Sequence, residues 1–395
     1  MTRVVEARHY LTGLKHSLEL QPGTEYHAGP LEWRLAAWNP AHNANSNSAS
    51  CWIAPALVDV QINGYGGVDL QSDSIDLSRL LKLCAALHRD GCGFFFPTLI
   101  TDEWPRMMRR LAFLKRLREE HPFTRGMIGG WHLEGPFLSD RPGFHGAHNP
   151  RFMQDPTPAH IEAVKAITGN DPVLITLAPE RPGAVEFTRL AVSEGFIVCL
   201  GHTDASIEQL RECVQAGATA VTHLGNAVPQ NLHRHDNVLW RILDTEGLSA
   251  SLIPDGVHLP DPVLRSIWRI KGSDRLFFTT DAMAGAGAPP GRHRIGHLEV
   301  EVGSDRIVRE PGSSNFAGSA LEPAKGVQLA AEALKLPWQE TWRAFSEAPL
   351  RILNKSPART AKPLANPRCC LIPLAQPFTP SGIETILMEA STSPF

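Results

Sequence analysis

Residues 196–224 read FIVCLGHTDASIEQLRECVQAGATAVTHL, and the succession of patterns along this stretch decides the fold. Phe196 to Leu200 is an unbroken apolar run, the pattern of a strand buried on both faces. Ser206 then stands three residues before Gln209, the spacing of a capping box, and Ile207, Leu210 and Val214 recur on one helical face. A second apolar run begins at Ala218. A buried strand, a capped helix and another buried strand in succession form a βαβ unit, in which the strands run parallel.

The alternation extends outward in both directions. Apolar runs read WIAPALVDVQI from Trp52, CGFFFPTLI from Cys92, MIGGWHLEG from Met127, PVLITLAPE from Pro172, FIVCLGH from Phe196, ATAVTHL from Ala218, LSASLIPDG from Leu248 and RLFFTTDAM from Arg275. Between the first two, Leu80, Leu83, Cys84 and Leu87 fall at helical spacing and Gly91 stands where a helix ends. Eight runs separated by helical patterns predict an α/β fold, a (β/α)8 TIM-like barrel.

The small, polar segment AHNANSNSAS at 41–50 sets a domain limit. The barrel is expected over 52–353. After the eighth run come a hairpin, GHLEVEVGSDRIV, and helices over 323–336 and 338–353. RCCLIPLAQPF and ETILMEAS read as strands again, so residues 1–51 and 354–395 are expected to share one small β domain.

Composition narrows the function. The 395 residues are 43% hydrophobic and 20% charged with a net charge of −3, so no global field recruits nucleic acid or a membrane surface. No apolar stretch is long enough to span a bilayer. The first residues, MTRVVEARHYLTGLKHSLEL, lack the apolar core of a signal peptide, and the seven cysteines include no C-x-x-C pair. Both features point to a reducing compartment, the cytoplasm.

Ionisable groups gather where five of the runs end: Glu134, His202, His223, His258 and Asp281. In a (β/α)8 barrel those ends converge on one face, where active sites lie. Glu134, His202 and His223 supply a carboxylate and two imidazoles, a set suited to a divalent metal with an open position for water, zinc first. Asp281 is then free to take a proton from that water. Taken singly, each residue has a plainer reading: a hydrogen-bonded structural histidine, a capping or ion-paired Glu134, a turn-forming Asp281.

The segments LVDVQINGYGGVDL, FPTLIT, HLEGPFLS, GAHNP, ITLAPE, LGHTDAS, THLGNAVP, DGVHL, TTDAMAGAG and AGSAL follow in this order from about Pro55 to Leu321. Together they resemble the motif set of N-acetylglucosamine-6-phosphate deacetylases within the amidohydrolase superfamily. The resemblance implies a metal on Glu134, His202 and His223 and a catalytic carboxylate at Asp281. Where most amidohydrolases carry His-x-His, this chain has Gln61-Ile62-Asn63, and amides are poor ligands. One metal ion per chain is therefore implied, Zn2+ before Fe2+, Mn2+ or Co2+, with Gln61 and Asn63 hydrogen-bonding around it.

The resemblance further implies that His148 polarises the substrate amide carbonyl, although an exposed loop histidine is the plainer reading. It implies that Asn226, the backbone at Ala227, and Arg234 hold a sugar phosphate, guanidinium being suited to phosphate oxygens. His258 is implied to touch the substrate, its plainer reading being a turn histidine. A site completed across a subunit interface implies a homodimer. Around Arg234 the text QNLHRHDN lacks the family's flanking glycine and glutamate. Two other readings stand beside this one: an amidohydrolase acting on another N-acyl sugar or a cyclic amide, and a sugar-phosphate-binding protein without turnover. Asp281 weighs against the second, since binding alone needs no general base.

Overall fold

The computed structural model describes residues 2–23, 33–40, 49–311, 316–355, 368–374 and 377–388. Eight parallel strands, one from each apolar run, lie in a single sheet: Leu57–Ile62, Cys92–Ile100, Trp131–Glu134, Val173–Leu177, Ile197–Leu200, Ala220–Val221, Ser249–Leu252 and Leu276–Phe278. Sequence neighbours pair throughout. Alternate residues face opposite sides of each strand. Trp131, Leu133, Val173, Ile175 and Leu177 pack outward beneath the helices, whereas Phe94, Phe96, Leu174, Ile197 and Phe277 form a separate inner cluster capped by Ile352 and Leu353 of the last helix.

Above that apolar layer the interior turns polar. His132 donates from Nδ1 to the Val60 carbonyl at 3.1 Å and accepts at Nε2 from the Thr176 hydroxyl at 2.8 Å, and Thr176 lies 2.7 Å from the Thr222 hydroxyl. Burial lowers the His132 pKa to about 4, so the ring is neutral and serves as a satisfied structural group. No ladder joins the first strand to the eighth among the described residues, and a single bridge, Ile62 to Ala282, spans them. The junction is completed by the Ala282 carbonyl, which accepts from the Asn63 and Gly64 amides at 2.8 and 3.1 Å, and, deeper in the barrel, by Asp59. Its carboxylate accepts from the Thr279 hydroxyl at 2.5 Å, the Thr280 hydroxyl at 2.6 Å, the Thr280 amide at 3.0 Å and the Gln61 amide at 3.1 Å.

The run beginning at Trp52 is two strands, not one. Cys51–Pro55 pairs with Arg3–His9 and with Arg368–Pro373, and only Leu57–Ile62 enters the large barrel. At the crossing, the Ala56 amide donates to the Arg368 carbonyl and the Leu57 amide to the Gly91 carbonyl. Apart from the partly exposed Trp52, every residue of both strands is buried, so nothing in hydrophobicity marks the break. The polar segment at 41–50 lies outside the described residues except for its last two positions.

The chain ends do share one sheet, a closed six-stranded barrel in the order Arg3–His9, Lys15–Pro22, Trp33–Pro40, Glu384–Met388, Arg368–Pro373, Cys51–Pro55. It is tied to the large barrel by buried donors: Arg368 reaches the Gly93 and Gly126 carbonyls at 3.0 and 2.8 Å, and the Trp342 indole reaches Pro55 at 2.7 Å. The hairpin expected after the eighth run is part of a three-stranded antiparallel sheet, because Gly291–Ile295 pairs in front of Leu298–Val302.

Candidate functional site

The βα loops set the functional groups, and the chain is held there in unusual conformations. His202, His223 and Asp281 have φ of 50°, 32° and 52°, the left-handed region that side chains with a Cβ rarely adopt. Each such residue costs about 1–3 kcal/mol and persists only where its surroundings over-determine it. The turns after the strands thus aim side chains inward that a regular strand end would direct elsewhere. Gly146, at φ 57°, allows the loop carrying His148 to close on His202, since a Cβ there would lie 3.1 Å from the imidazole Cε1.

Three donors converge. Glu134 Oε1 lies 3.2 Å from His202 Nε2 and 2.8 Å from His223 Nε2, and the two Nε2 atoms are 3.2 Å apart. All three residues are buried, and they form a group able to hold a metal ion. The donor chemistry fits a cation. His202 Nδ1 faces the Phe144 carbonyl at 3.1 Å, and a carbonyl only accepts, so the neutral ring carries its proton on Nδ1. Its Nε2 lone pair then points at a carboxylate oxygen and at another imidazole nitrogen, a juxtaposition suited to a cation between them. Gln61 Nε2 donates to the same Glu134 oxygen at 2.9 Å.

Burial works against the charge on Glu134, but the neighbouring imidazoles of His202, His223 and His148 outweigh it and hold the carboxyl well below the usual range. Burial lowers the His202 pKa; at His223 burial is outweighed by Glu134 and Asp281, and the pKa rises. Asp281 is pushed up to about 7 by burial and by the charge of Glu134. Asn63 Nδ2 donates to Asp281 Oδ1 at 2.7 Å and sets the orientation of that carboxyl.

His148 is buried, not an exposed loop residue. Its Nδ1 receives the Thr101 amide at 3.3 Å and lies 2.9 Å from the Thr101 hydroxyl, while Nε2 faces Glu134 Oε2 at 3.8 Å. An amide N–H cannot accept, so the proton of the neutral ring sits on Nε2, facing the cluster. Burial, with the neighbouring His202, lowers its pKa to about 3.

The remaining expected residues lie further out. Asn226 Nδ2 donates to the His223 carbonyl at 3.1 Å, and Ala227 follows in left-handed backbone, φ 53°. His258 Nδ1 is 2.6 Å from Asp255 Oδ2, and its ring lies 5.5 Å from that of Phe316. Arg234 is exposed and forms no ion pair with any described residue. Three residues of the site escape a sequence reading: Thr101, Asp255 and Asp59. Asp255 stands three residues before His258 in DGVHL, a spacing that could have revealed it; Asp59 and Thr101 sit inside or just after apolar runs and show only through what they touch.

No family model matches the chain. The N-acetylglucosamine-6-phosphate deacetylase of Danio rerio is 32% identical over 313 residues, covering 77% of this chain and 76% of the relative. The chain belongs to the N-acetylglucosamine-6-phosphate deacetylase family. Members of this family are amidohydrolases with the barrel described above. The N-acetylgalactosamine-6-phosphate deacetylase of Escherichia coli O157:H7 is 29% identical over 362 residues, 90% of each chain. A family structure from Mycobacterium smegmatis, solved in complex with N-acetyl-D-glucosamine-6-phosphate, superposes with a TM-score of 0.76 at 28% identity, covering 94% of this chain and 95% of its own.

Proposed function

We propose that this chain hydrolyses the acetamide of N-acetylglucosamine 6-phosphate to glucosamine 6-phosphate and acetate. The observation that carries the reading is the buried Glu134–His202–His223 cluster, its lone pairs facing one another, in a chain of this family. These three residues would hold one divalent cation, Zn2+ before Fe2+, Mn2+ or Co2+; Gln61 and Asn63 stand where further ligands would be needed for a second. When bound, such a cation acidifies water and polarises an amide carbonyl.

The chain's own groups supply the rest. Asp281, oriented by Asn63, accepts the proton of the attacking water and returns it to the amine leaving group. His148, with its proton on Nε2, donates to the carbonyl oxygen as negative charge develops there. Asn226, Ala227, Arg234 and His258 hold the sugar phosphate, away from the scissile bond, and provide positioning. Arg234 is exposed in the single chain, which supports a homodimer in which one protomer's arginine serves its partner's site. Seven cysteines, all free, support a cytoplasmic location, and no helix among the described residues is long and apolar enough to cross a membrane.

N-acetylgalactosamine 6-phosphate is the second substrate reading, favoured by the 90% coverage of the E. coli relative. Metal analysis with acetate-release assays on the two N-acetyl hexosamine 6-phosphates and on free N-acetylglucosamine tests both. The expected result is one metal per chain and equimolar acetate and free amine from the glucosamine compound. A metal-loaded, folded protein that releases no acetate from either phosphate overturns the proposal.

A further inference from the structure

Asp59 lies beneath the site and touches no group assigned to the reaction, yet its hydrogen bonds run to the backbone of both halves of it. Through Oδ1 it accepts from the Gln61 amide at 3.1 Å, and the Gln61 side chain holds Glu134. Through Oδ2 it accepts from the Thr280 amide and hydroxyl at 3.0 and 2.6 Å, immediately before Asp281. The Thr280 hydroxyl in turn receives the Ala282 amide at 3.2 Å, and Ser319 receives the Met283 amide at 2.9 Å while its own amide donates to the Asp281 carbonyl at 3.0 Å. Asp281 is therefore a left-handed residue gripped on both sides, at the seam where no ladder joins the first strand to the eighth.

We infer that Asp59 is a positioning residue for proton transfer: bridging Gln61 and Thr280 across this seam, below the Asn63 and Gly64 amides that donate to the Ala282 carbonyl, it holds Asp281 in register with the Glu134 cluster. A fully buried carboxylate is costly, and a seam could be closed more simply by apolar packing. A carboxylate, unlike any apolar side chain, can take two donors on each oxygen and so fix two strands at once. The inference rests on the reading of Asp281 as the proton-transfer group.

The test compares Asp59→Asn, Thr280→Val, Thr280→Ser and Thr279→Val in the metal-loaded protein. Thr279 also donates to Asp59, at 2.5 Å, but is one residue further from Asp281. The expected result is a kcat lowered about 10- to 100-fold in Asp59→Asn and Thr280→Val, the range for sub-ångström to ångström misplacement, with KM and metal content unchanged. Thr280→Ser should restore kcat, Thr279→Val should stay within about threefold, and Thr280→Val should add little on the Asp59→Asn background. Should Asp59→Asn fail to fold, the Thr280 pair carries the comparison. Amide hydrogen exchange at Ala282 and Met283 gives a readout free of turnover, with faster exchange in Thr280→Val than in Thr279→Val. Wild-type protein without turnover would sink the proposed function while leaving this exchange comparison intact. Equal losses of kcat in Thr279→Val and Thr280→Val, or equal exchange, would overturn the inference.

Discussion

The imidazoles of His148 and His202 meet edge to face, 4.5 Å between centroids and 75° between planes, and the groups behind them place their protons at opposite ends. A carbonyl behind His202 leaves its Nε2 a lone pair; an amide N–H behind His148 leaves its Nε2 a donor. Two identical side chains thus face one site with opposite chemistry, one able to bind a cation and the other able to stabilise an oxyanion. His202→Ala should lose the metal. His148→Asn should retain it and lower kcat by about 10²- to 10³-fold, the usual cost of removing one such donor. Elemental analysis beside steady-state kinetics separates the two, and loss of metal from the His148 variant would show that its role is ligation.

Asp281 is the carboxylate left over once the cluster is assigned. Asp281→Asn keeps the size of the side chain and removes the acceptor, so metal content should be unchanged and turnover should fall by at least about 10²-fold, the lower end of general acid/base effects. A variant hydrolysing the substrate within about tenfold of wild type would remove Asp281 from proton transfer.

Metal removal should expose a pH signature. Without a cation, burial and then Glu134 raise the Asp281 carboxyl from 3.8 to about 7, so the native state holds a proton that the unfolded state releases. A raised folded pKa gives stability that is fully present below about pH 4 and lost as pH climbs through about 7, worth on the order of a few kcal/mol. Chelated protein should therefore lose Tm between about pH 4 and 7 relative to chelated Asp281→Asn, and added Zn2+ should diminish that loss, since a cation favours the carboxylate. Differential scanning calorimetry across this range checks it; parallel Tm curves for the two proteins would contradict it.

Much of this architecture was legible because one physical signal dominated each element. The Ser206–Gln209 capping box is present as read, with the Gln209 side chain reaching the Ser206 amide at 2.9 Å. Helix Leu77–Arg89 buries Leu80, Leu83, Cys84 and Leu87, and Gly91 follows it at φ 82°. Glu134, His202 and His223 could be brought together from strand ends alone because a barrel converges those ends. The rest depended on contacts between distant segments. The break at Ala56 is invisible where both adjoining strands are buried. The left-handed backbone at His202, His223 and Asp281 falls on residues that seldom adopt it. Asp59 reads as a polar interruption in an apolar run until Thr279 and Thr280 are seen across the seam.

Arg234 carries the last prediction. It lies eleven residues after His223, exposed, in a segment whose neighbours His233, His235 and Asp236 are exposed as well. No described carboxylate neutralises it, so its guanidinium remains available for a phosphate, which it can meet with two parallel hydrogen bonds. Arg234→Ala should leave kcat nearly intact and raise KM for N-acetylglucosamine 6-phosphate, erasing most of the preference over the unphosphorylated sugar. In the proposed homodimer, the arginine that serves a site is expected to come from the partner protomer. Mixing Arg234→Ala with Asp281→Asn protein should then regenerate sites that have both an intact Asp281 and a partner arginine, with activity at low substrate above that of either variant alone. Equal kcat/KM for phosphorylated and free sugar in the wild-type protein would remove the phosphate role, and mixtures no more active than their components would place Arg234 in its own protomer's site.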